Sequence, residues 1–356
     1  MAQIYLNYGD NLQEMTYTLM EAADIAARLN TSMKVCIKPN LVVSRPAGDG
    51  ATTHPEIVEG IIRYLQDHGV DNICIAEGSW VGGSTKRAFE NCGYTAISKQ
   101  CGVPLVDTKK DKVLKRKYEG LDLGICETIA AADYLINVPV LKGHCQTDMT
   151  CCLKNMKGCI PDGEKRRYHT MGLHKPIAAL NTVLKPQLHI IDNICGDLTF
   201  EEGGNPVETG RVLLGFDPVL LDSYCAGLMG YHPDEIGYLQ YARQYGVGGY
   251  FDNTTEIMEL NAENRPVATQ SRSSIAKRLA GYIDEDSACS ACYAALIFAL
   301  HKTPSRPAGD RIKIGQGFKG KRCTGIGVGN CTAGCREFVG GCPPRALDIV
   351  EFLERR

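Results

Sequence analysis

The chain has no stretch apolar enough to span a bilayer: the run Ala294 to Leu300 is seven residues, against the roughly 20 that a membrane helix needs. It has no surplus of charge either. Its 39 Lys+Arg against 41 Asp+Glu leave a net charge of -2 and a pI near 6.5, which argues against a general nucleic-acid binder. The opening Met-Ala-Gln-Ile-Tyr-Leu-Asn-Tyr-Gly-Asp lacks the basic region and long apolar stretch of a signal peptide. The expectation is therefore a cytoplasmic protein with neither a membrane nor a nucleic acid as partner. No G-x-x-x-x-G-K-[ST] occurs, which speaks against a P-loop ATPase, and no G-x-G-x-x-G opens a helix, so a Rossmann dinucleotide site is unsupported. The C-x-x-x-C-x-x-C trio of radical S-adenosylmethionine enzymes is missing, since no third cysteine follows Cys331 and Cys335 at the right spacing. Internal repeats, low-complexity tracts and long linkers are absent as well.

What is abundant is cysteine. Seventeen in 356 residues is about 5%, in a chain far too long to be a small disulfide scaffold. In a reducing compartment so many thiols point to metal or sulfur chemistry, or to an anaerobic host that tolerates them. Most, about ten, read as small core residues. The hydrophobic fraction of 44% and charged fraction of 22% are those of an ordinary globular protein, and the length suits about two domains.

Short β-branched runs alternate with helical stretches. Strands are expected at Ile4 to Leu6, Met33 to Ile37, Asn72 to Ala76, Val103 to Val106, Tyr134 to Val140, Leu188 to Ile191 and Arg211 to Gly215. Helices are expected at Leu12 to Leu29, His54 to His68 with Thr53 as cap, Ser84 to Gly93, Thr147 to Met156, Pro176 to Leu184, Pro218 to Met229 and Tyr238 to Tyr245. The basic stretch Lys109 to Lys117 reads as a solvated hairpin or loop, and residues 252–280 lack a clear period. The alternation predicts an α/β fold, a mostly parallel sheet with flanking helices, followed by a small C-terminal cysteine-rich iron–sulfur module. We divide the chain into an α/β domain with a basic substrate cleft, 1–280, and the module, 281–356.

In that module Cys289-Ser-Ala-Cys292 is a C-x-x-C pair, which lets two thiolates grip one metal site from a single turn. Cys331 and Cys342 can complete a four-thiolate shell. Zinc and iron–sulfur clusters both use four cysteines, but a zinc ribbon usually repeats the C-x-x-C, and here the second half is spread out. Cys342 is followed by proline, as in bacterial ferredoxin runs, and precedes an expected helix from Pro344 whose N-terminus would favour a negatively charged cluster. The reading is a [4Fe–4S] cluster on Cys289, Cys292, Cys331 and Cys342. A redox dithiol is the other use of a C-x-x-C. Cys323 and Cys335 are left as spectators or alternates. Cys151, Cys152 and Cys159 read as core or cleft wall, with a reactive thiol as the alternative.

Three segments together resemble one family. They are Ile37-Lys38-Pro39-Asn40-Leu41, the stretch from Lys142-Gly143-His144 to Lys154-Asn155-Met156-Lys157-Gly158, and the tail with Cys289-x-x-Cys292, Gly-Asn-Cys331 and Gly-Cys342-Pro-Pro. The chain resembles the iron–sulfur family known as domain of unknown function 362. That resemblance implies a cluster in the tail and no particular reaction. The N-terminal half is also similar, at the level of fold alone, to the lactate racemase type of α/β domain.

Lys38-Pro39-Asn40, Lys142-Gly143-His144 and Asp192-Asn193 all lie just past expected strand ends, where open α/β sheets bind ligands. Lys38, Lys142 and Lys154 would capture a carboxylate or phosphate, with Asn40 and Asn155 orienting it. His54 and Asp192 would complete the substrate contacts. His144, with Lys142 and Lys154, would serve proton transfer as the catalytic group. The bland alternative is that each lysine is solvated and each asparagine caps a loop. The function expected is an iron–sulfur oxidoreductase passing electrons to an anionic small molecule, with an external electron-donor protein as partner. The alternatives are a non-redox lyase or isomerase, a non-enzymatic electron carrier or scaffold, and a cluster that is merely structural.

Overall fold

A computed structural model of the chain describes residues 3–265, 275–303 and 311–355. Its strands are β1 (Ile4–Tyr8), β2 (Val35–Pro39), β3 (Ile73–Glu77), β4 (Leu105–Asp107), β5 (Val113–Tyr118), β6 (Leu121–Cys126), β7 (Tyr134–Val138), β8 (Lys142–His144), β9 (Asp148–Thr150), β10 (Leu188–Asp197), β11 (Pro206–Gly215), β12 (Ile257–Leu260), β13 (Ile283–Glu285), β14 (Ile312–Ile314), β15 (Cys323–Val328) and β16 (Cys335–Val339). Eight of them form the main sheet in the order β12-β1-β11-β10-β7-β2-β3-β4, parallel except where β11 meets β1 and β10. The fold is α/β, as the alternation of elements predicts.

Successive residues of each strand feed opposite faces of this sheet. Ile4 and Leu6 join one buried cluster while Tyr5 joins the other, and Cys36 separates Val35 from Ile37 in the same way. Helix Pro55–Asp67 covers one face with Ile57, Val58, Ile61, Ile62 and Leu65, all fully buried. At roughly 1.5–3 kcal/mol each, these five side chains hold the helix on the sheet. Its cap is His54, not Thr53. The Thr53 hydroxyl instead accepts from Asn40 N–H at 2.8 Å and donates to Val138 O at 2.8 Å, which ties the end of β2 to the end of β7. That pair is where the strand order reverses: β3 and β4 follow on one side of β2, β7 and β10 on the other. Ligands bind at such a switch point in doubly wound sheets.

Several elements depart from expectation. The first helix stops at Ala22 because Asp24 adopts a left-handed conformation, and only a short 3-10 turn, Ala26–Arg28, resumes it. The expected helix Thr147 to Met156 is instead a hairpin partner, β9, followed by a four-residue helix, Cys152–Asn155, and a 3-10 turn, Met156–Cys159. β-branched Thr147 and Thr150 and a left-handed Asp148 favour that break. β10 runs ten residues, so Asp192 lies within the strand and not beyond its end. The basic stretch, by contrast, forms the exposed hairpin β5–β6, one of the two forms expected of it. Within 252–280, β12 forms at Ile257–Leu260, and residues 266–274 lie outside the described residues.

The tail builds a parallel sheet of its own, β13-β14-β15-β16, around a separate buried cluster that includes Leu296, Ile297, Leu300, Ile312, Ile314 and Val328. Phe200 inserts into that cluster, its ring 6.1 Å from Phe298, and so couples the loop after β10 to the tail. The closing helix begins at Ala346, with Arg345 as cap, so Cys342 does not sit at a helix N-terminus. Cys289 does: it caps the helix Ser290–Lys302.

Candidate functional site

A cleft with about 940 Å³ of empty space, continuous with solvent, opens at the carboxyl ends of β2, β3 and β7. Asn40 comes from β2. Glu77, Gly78, Trp80 and Val81 follow β3. The β8–β9 hairpin after β7 supplies Lys142, His144 and Thr150, pairing Lys142 with Thr150 in register. Lys154, Asn155 and Lys157 come from the short helical turns that follow, and Lys165, Arg166 and His169 from helix Asp162–Thr170. Glu201 enters from the loop after β10. The tail closes the remaining wall with Cys289, Ser290, Ala291, Cys292, Cys342 and Pro343. Gln146 fixes that wall, donating to Ala288 O at 3.1 Å and accepting from Ser290 Oγ at 2.9 Å.

The lysines around the cleft fall into two kinds, fully buried and half-buried. Lys38 is fully buried and paired with Glu77, and it also donates to Pro39 O at 2.8 Å and Asn155 Oδ1 at 3.1 Å. Gly158 permits this, because a Cβ there would stand 2.5 Å from the Lys38 nitrogen and 2.7 Å from Glu77. Lys142 donates to Ala51 O at 2.5 Å, Glu201 O at 2.9 Å and Asn40 Oδ1 at 3.5 Å. Lys165 donates to Gly78 O at 2.8 Å, Ser79 O at 2.9 Å and Asp162 Oδ1 at 3.4 Å. Three donors meet three acceptors in each case, so these ammonium groups are internally satisfied. Lys154 and Lys157 differ. Lys154 has Thr150 Oγ1 at 3.2 Å, and Lys157 has His169 Nε2 at 3.4 Å. Burial pulls Lys154 down to about 8, against the opposing pull of Glu201 and Glu202. Burial and then Lys154 pull Lys157 down to about 7, and burial and Lys154 likewise pull Lys142 to about 7.

His144 accepts at Nδ1 from the N–H groups of Gln146 (3.1 Å) and Thr147 (3.2 Å), so its proton sits on Nε2, 3.3 Å from Glu201 Oε1. Burial, followed by Lys154, Lys157, His169 and Lys142, holds its pKa well below the usual histidine range. It is a neutral donor, and protonating it further is opposed by every cation around it. Glu201 is 3% exposed, its Oε1 is out of hydrogen-bond alignment, and burial raises its pKa despite Lys154.

His54 and Asp192 pair with each other instead of lining the cleft. Asp192 Oδ2 accepts from His54 N–H at 2.7 Å and meets Nδ1 at 2.8 Å. Burial opposes charge on His54, but the Asp192 carboxylate overcomes it and holds the imidazole up at about 10. Lys38 likewise stands behind the cleft, bracing Asn155. Lys142, His144, Lys154, Asn40 and Asn155 do come together there. Glu201, Lys157, Arg166, His169 and Trp80 escaped sequence reasoning. Lys157 had a signal, standing three residues beyond Lys154 and so on the same helical face. Glu201 had none.

The thiols of Cys289, Cys292, Cys331 and Cys342 lie near enough to influence one another's titration. Burial raises Cys289, and its neighbours Cys331 and Cys342 raise it further; burial and the other three thiols take Cys292 to about 12. All four are unbonded, whereas Cys323 and Cys335 join as a disulfide across β15 and β16. Among the described residues, ligand atoms of Cys151, Cys152 and Asp222 all lie within 4.8 Å of one another, and the four tail thiols form no group that tight. Asp222 is committed elsewhere: its carboxylate accepts from the N–H groups of Cys152 (2.7 Å) and Leu153 (3.2 Å), capping the helix Cys152–Asn155 deep in the core.

The family described as Domain of unknown function (DUF362) matches residues 35–227, which carry every cleft residue named above except those of the tail. Among curated proteins, the thylakoid-associated protein sll1697 of Synechocystis sp. is 26% identical over 214 residues, 57% of this chain. The match spans 65% of that protein's length. Two solved structures are similar in part. The lactate racemase apoprotein from Thermoanaerobacterium thermosaccharolyticum has a TM-score of 0.42 at 13% identity, over 63% of this chain and 57% of that one. A structural-genomics target from Thermotoga maritima has a TM-score of 0.35 at 12% identity, over 52% of this chain and 51% of that one. No helix among the described residues is long and apolar enough to cross a membrane.

Proposed function

The chain belongs to the domain of unknown function 362 family, and from its site we propose that it is an iron–sulfur oxidoreductase, holding a [4Fe–4S] cluster on Cys289, Cys292, Cys331 and Cys342 and an anionic small molecule in the adjoining lysine cleft. The observation that carries this reading is the shared space: Cys289, Cys292 and Cys342 line the same cleft as Lys154 and Lys157. The donor set fits the group. Four unbonded thiols lie near one another, the N-terminus of a 13-residue helix lies at Cys289, and Arg166 and Lys319 stand near Cys331. When bound, the cluster would supply one-electron chemistry at that wall.

The remaining work falls to the chain's own side chains. Lys154 and Lys157 attract and hold the anion, and the satisfied Lys142 and Lys165 add positive potential without occupying it. His144 Nε2–H offers a neutral hydrogen bond. Glu201, whose pKa burial raises, can pass a proton into the cleft. An external electron-donor protein would supply the electrons. Fifteen unpaired thiols suit a reducing cytoplasm. A second reading, a lyase or isomerase of the same anion, is favoured by one observation: the His144–Glu201 pair is proton-transfer equipment that needs no electron.

Anaerobic purification tests the leading reading. Brown protein with about four iron and four sulfide per chain, whose spectrum responds to added anions, is expected. Stoichiometric zinc without sulfide would overturn it.

A further inference from the structure

Resting on the anion-binding reading above, we propose that the ligand of this cleft is a conjugated carboxylate, its carboxylate bridged by Lys154 and Lys157 and its flat apolar body laid along Trp80.

Trp80 is the chain's one tryptophan, and it is built in as a wall. Its backbone N–H donates to Val42 O at 3.2 Å, while its backbone carbonyl accepts from Lys109 Nζ at 2.6 Å and from Gly83 N–H at 3.0 Å. Lys109 is in turn paired with Asp162 at 3.3 Å. Gly83 leaves the indole room, since a Cβ there would stand 2.5 Å from Cδ1. Yet the ring itself is half-buried and, among the described residues, makes no contact with another ring or with a cation. An aromatic surface lining a cleft, with no ring or cation stacked on it among the described residues, is what a ligand's apolar portion covers. Val42 and Val81 extend that surface, and Pro343 faces it from the tail.

The polar half of the argument is independent. Lys154, in the helix Cys152–Asn155, and Lys157, in the 3-10 turn that follows it, are three residues apart and half-buried, each with a single hydrogen-bond neighbour, whereas the fully buried Lys38, Lys142 and Lys165 among the described residues each have three. One carboxylate can accept from both. A bare inorganic anion would satisfy these amines but leave the Trp80 wall wet. An anion joined to a flat conjugated body serves both.

Calorimetric titration of the anaerobically purified protein with benzoate, acetate and inorganic phosphate tests this. Benzoate is expected to bind at least tenfold tighter than acetate or phosphate. Trp80→Leu should erase that advantage, Trp80→Phe should keep most of it, and Lys154→Met should weaken all three anions together, with circular dichroism showing each variant folded. Equal affinities for benzoate and acetate, or an advantage untouched by Trp80→Leu, would overturn the proposal and leave the anion cleft standing. No binding of any anion by the folded protein would remove the cleft reading, and this proposal with it.

Discussion

Anion binding should weaken as pH rises, and Lys154 sets the slope. Its amine must be charged to hold an anion, and burial lowers its pKa to about 8 in the empty cleft. At pH 7 about nine-tenths of the protein carries that charge; at pH 10 about one-hundredth does. A probe that stays ionised throughout, such as benzenesulfonate, should therefore lose about ninetyfold in affinity across that range, about 2.7 kcal/mol. The sign is fixed by the direction of the shift. A depressed lysine loses its proton within the range, and an anion that needs the proton binds best below pH 7. Lys157, at about 7, steepens the fall. The control is Lys154→Met, which should bind more weakly at pH 7 and lose about two decades of the pH dependence. Titration calorimetry at half-unit steps reads both curves. A flat wild-type profile, or the same slope in Lys154→Met, would refute the assignment of Lys154 as the anion's charged partner.

The cysteines sort by role. Alanine at Cys289, Cys292, Cys331 or Cys342 should remove most of the iron and visible absorbance, whereas Cys323→Ala and Cys335→Ala, which break only the β15–β16 disulfide, should retain them. Lys38→Met leaves Glu77 charged and buried, and should lower unfolding free energy by about 3–5 kcal/mol; a Lys38→Met, Glu77→Leu double variant should recover most of it in urea melts. The His54–Asp192 pair makes stability pH-dependent. With a folded pKa near 10 and an unfolded one near 6.5, its contribution is fully present below pH 6.5 and fades as pH climbs through 10, so Asp192→Asn should cost more at pH 6 than at pH 10.5. An equal cost at both would count against the pairing.

Much of this architecture can be read from period and punctuation. The strands that carry the sheet announce themselves by β-branched runs, and Gly69 and Pro55 bracket a helix whose apolar stripe is plain. What cannot be read is where tertiary contact overrides local preference. The stretch Thr147 to Met156 reads as one helix only if its weak helix formers Thr147, Asp148 and Thr150 are overlooked, and pairing with Lys142–His144 claims Asp148–Thr150 as a strand. The cleft was partly legible for a similar reason. Strand ends are visible in sequence, so Lys142, His144 and Asn40 could be placed beside one another. Whether a lysine there faces a ligand or a carboxylate depends on residues far away in the chain. Glu77 claims Lys38 and Asp192 claims His54, and neither pairing has a local signature.

Counting acceptors resolves what position alone left ambiguous. A buried ammonium group carries three N–H donors, and leaving one unmet is costly in a medium that excludes water. Lys38, Lys142 and Lys165 meet three oxygens each, drawn from backbone carbonyls, asparagines and carboxylates of the surrounding loops. They pin together the ends of β2 and β3 and the segments around Lys142 and Lys165, and so fix the cleft's shape before any ligand arrives. Lys154 and Lys157 meet one neighbour each, so each keeps donors free for a ligand. A protein that only needed these amines for packing would do better with methionine at both positions, which fills similar volume without the desolvation cost. The two lysines make physical sense when the cleft is filled by an anion that supplies the missing acceptors, and they stand where that anion would meet the wall formed by Cys289, Cys292 and Cys342.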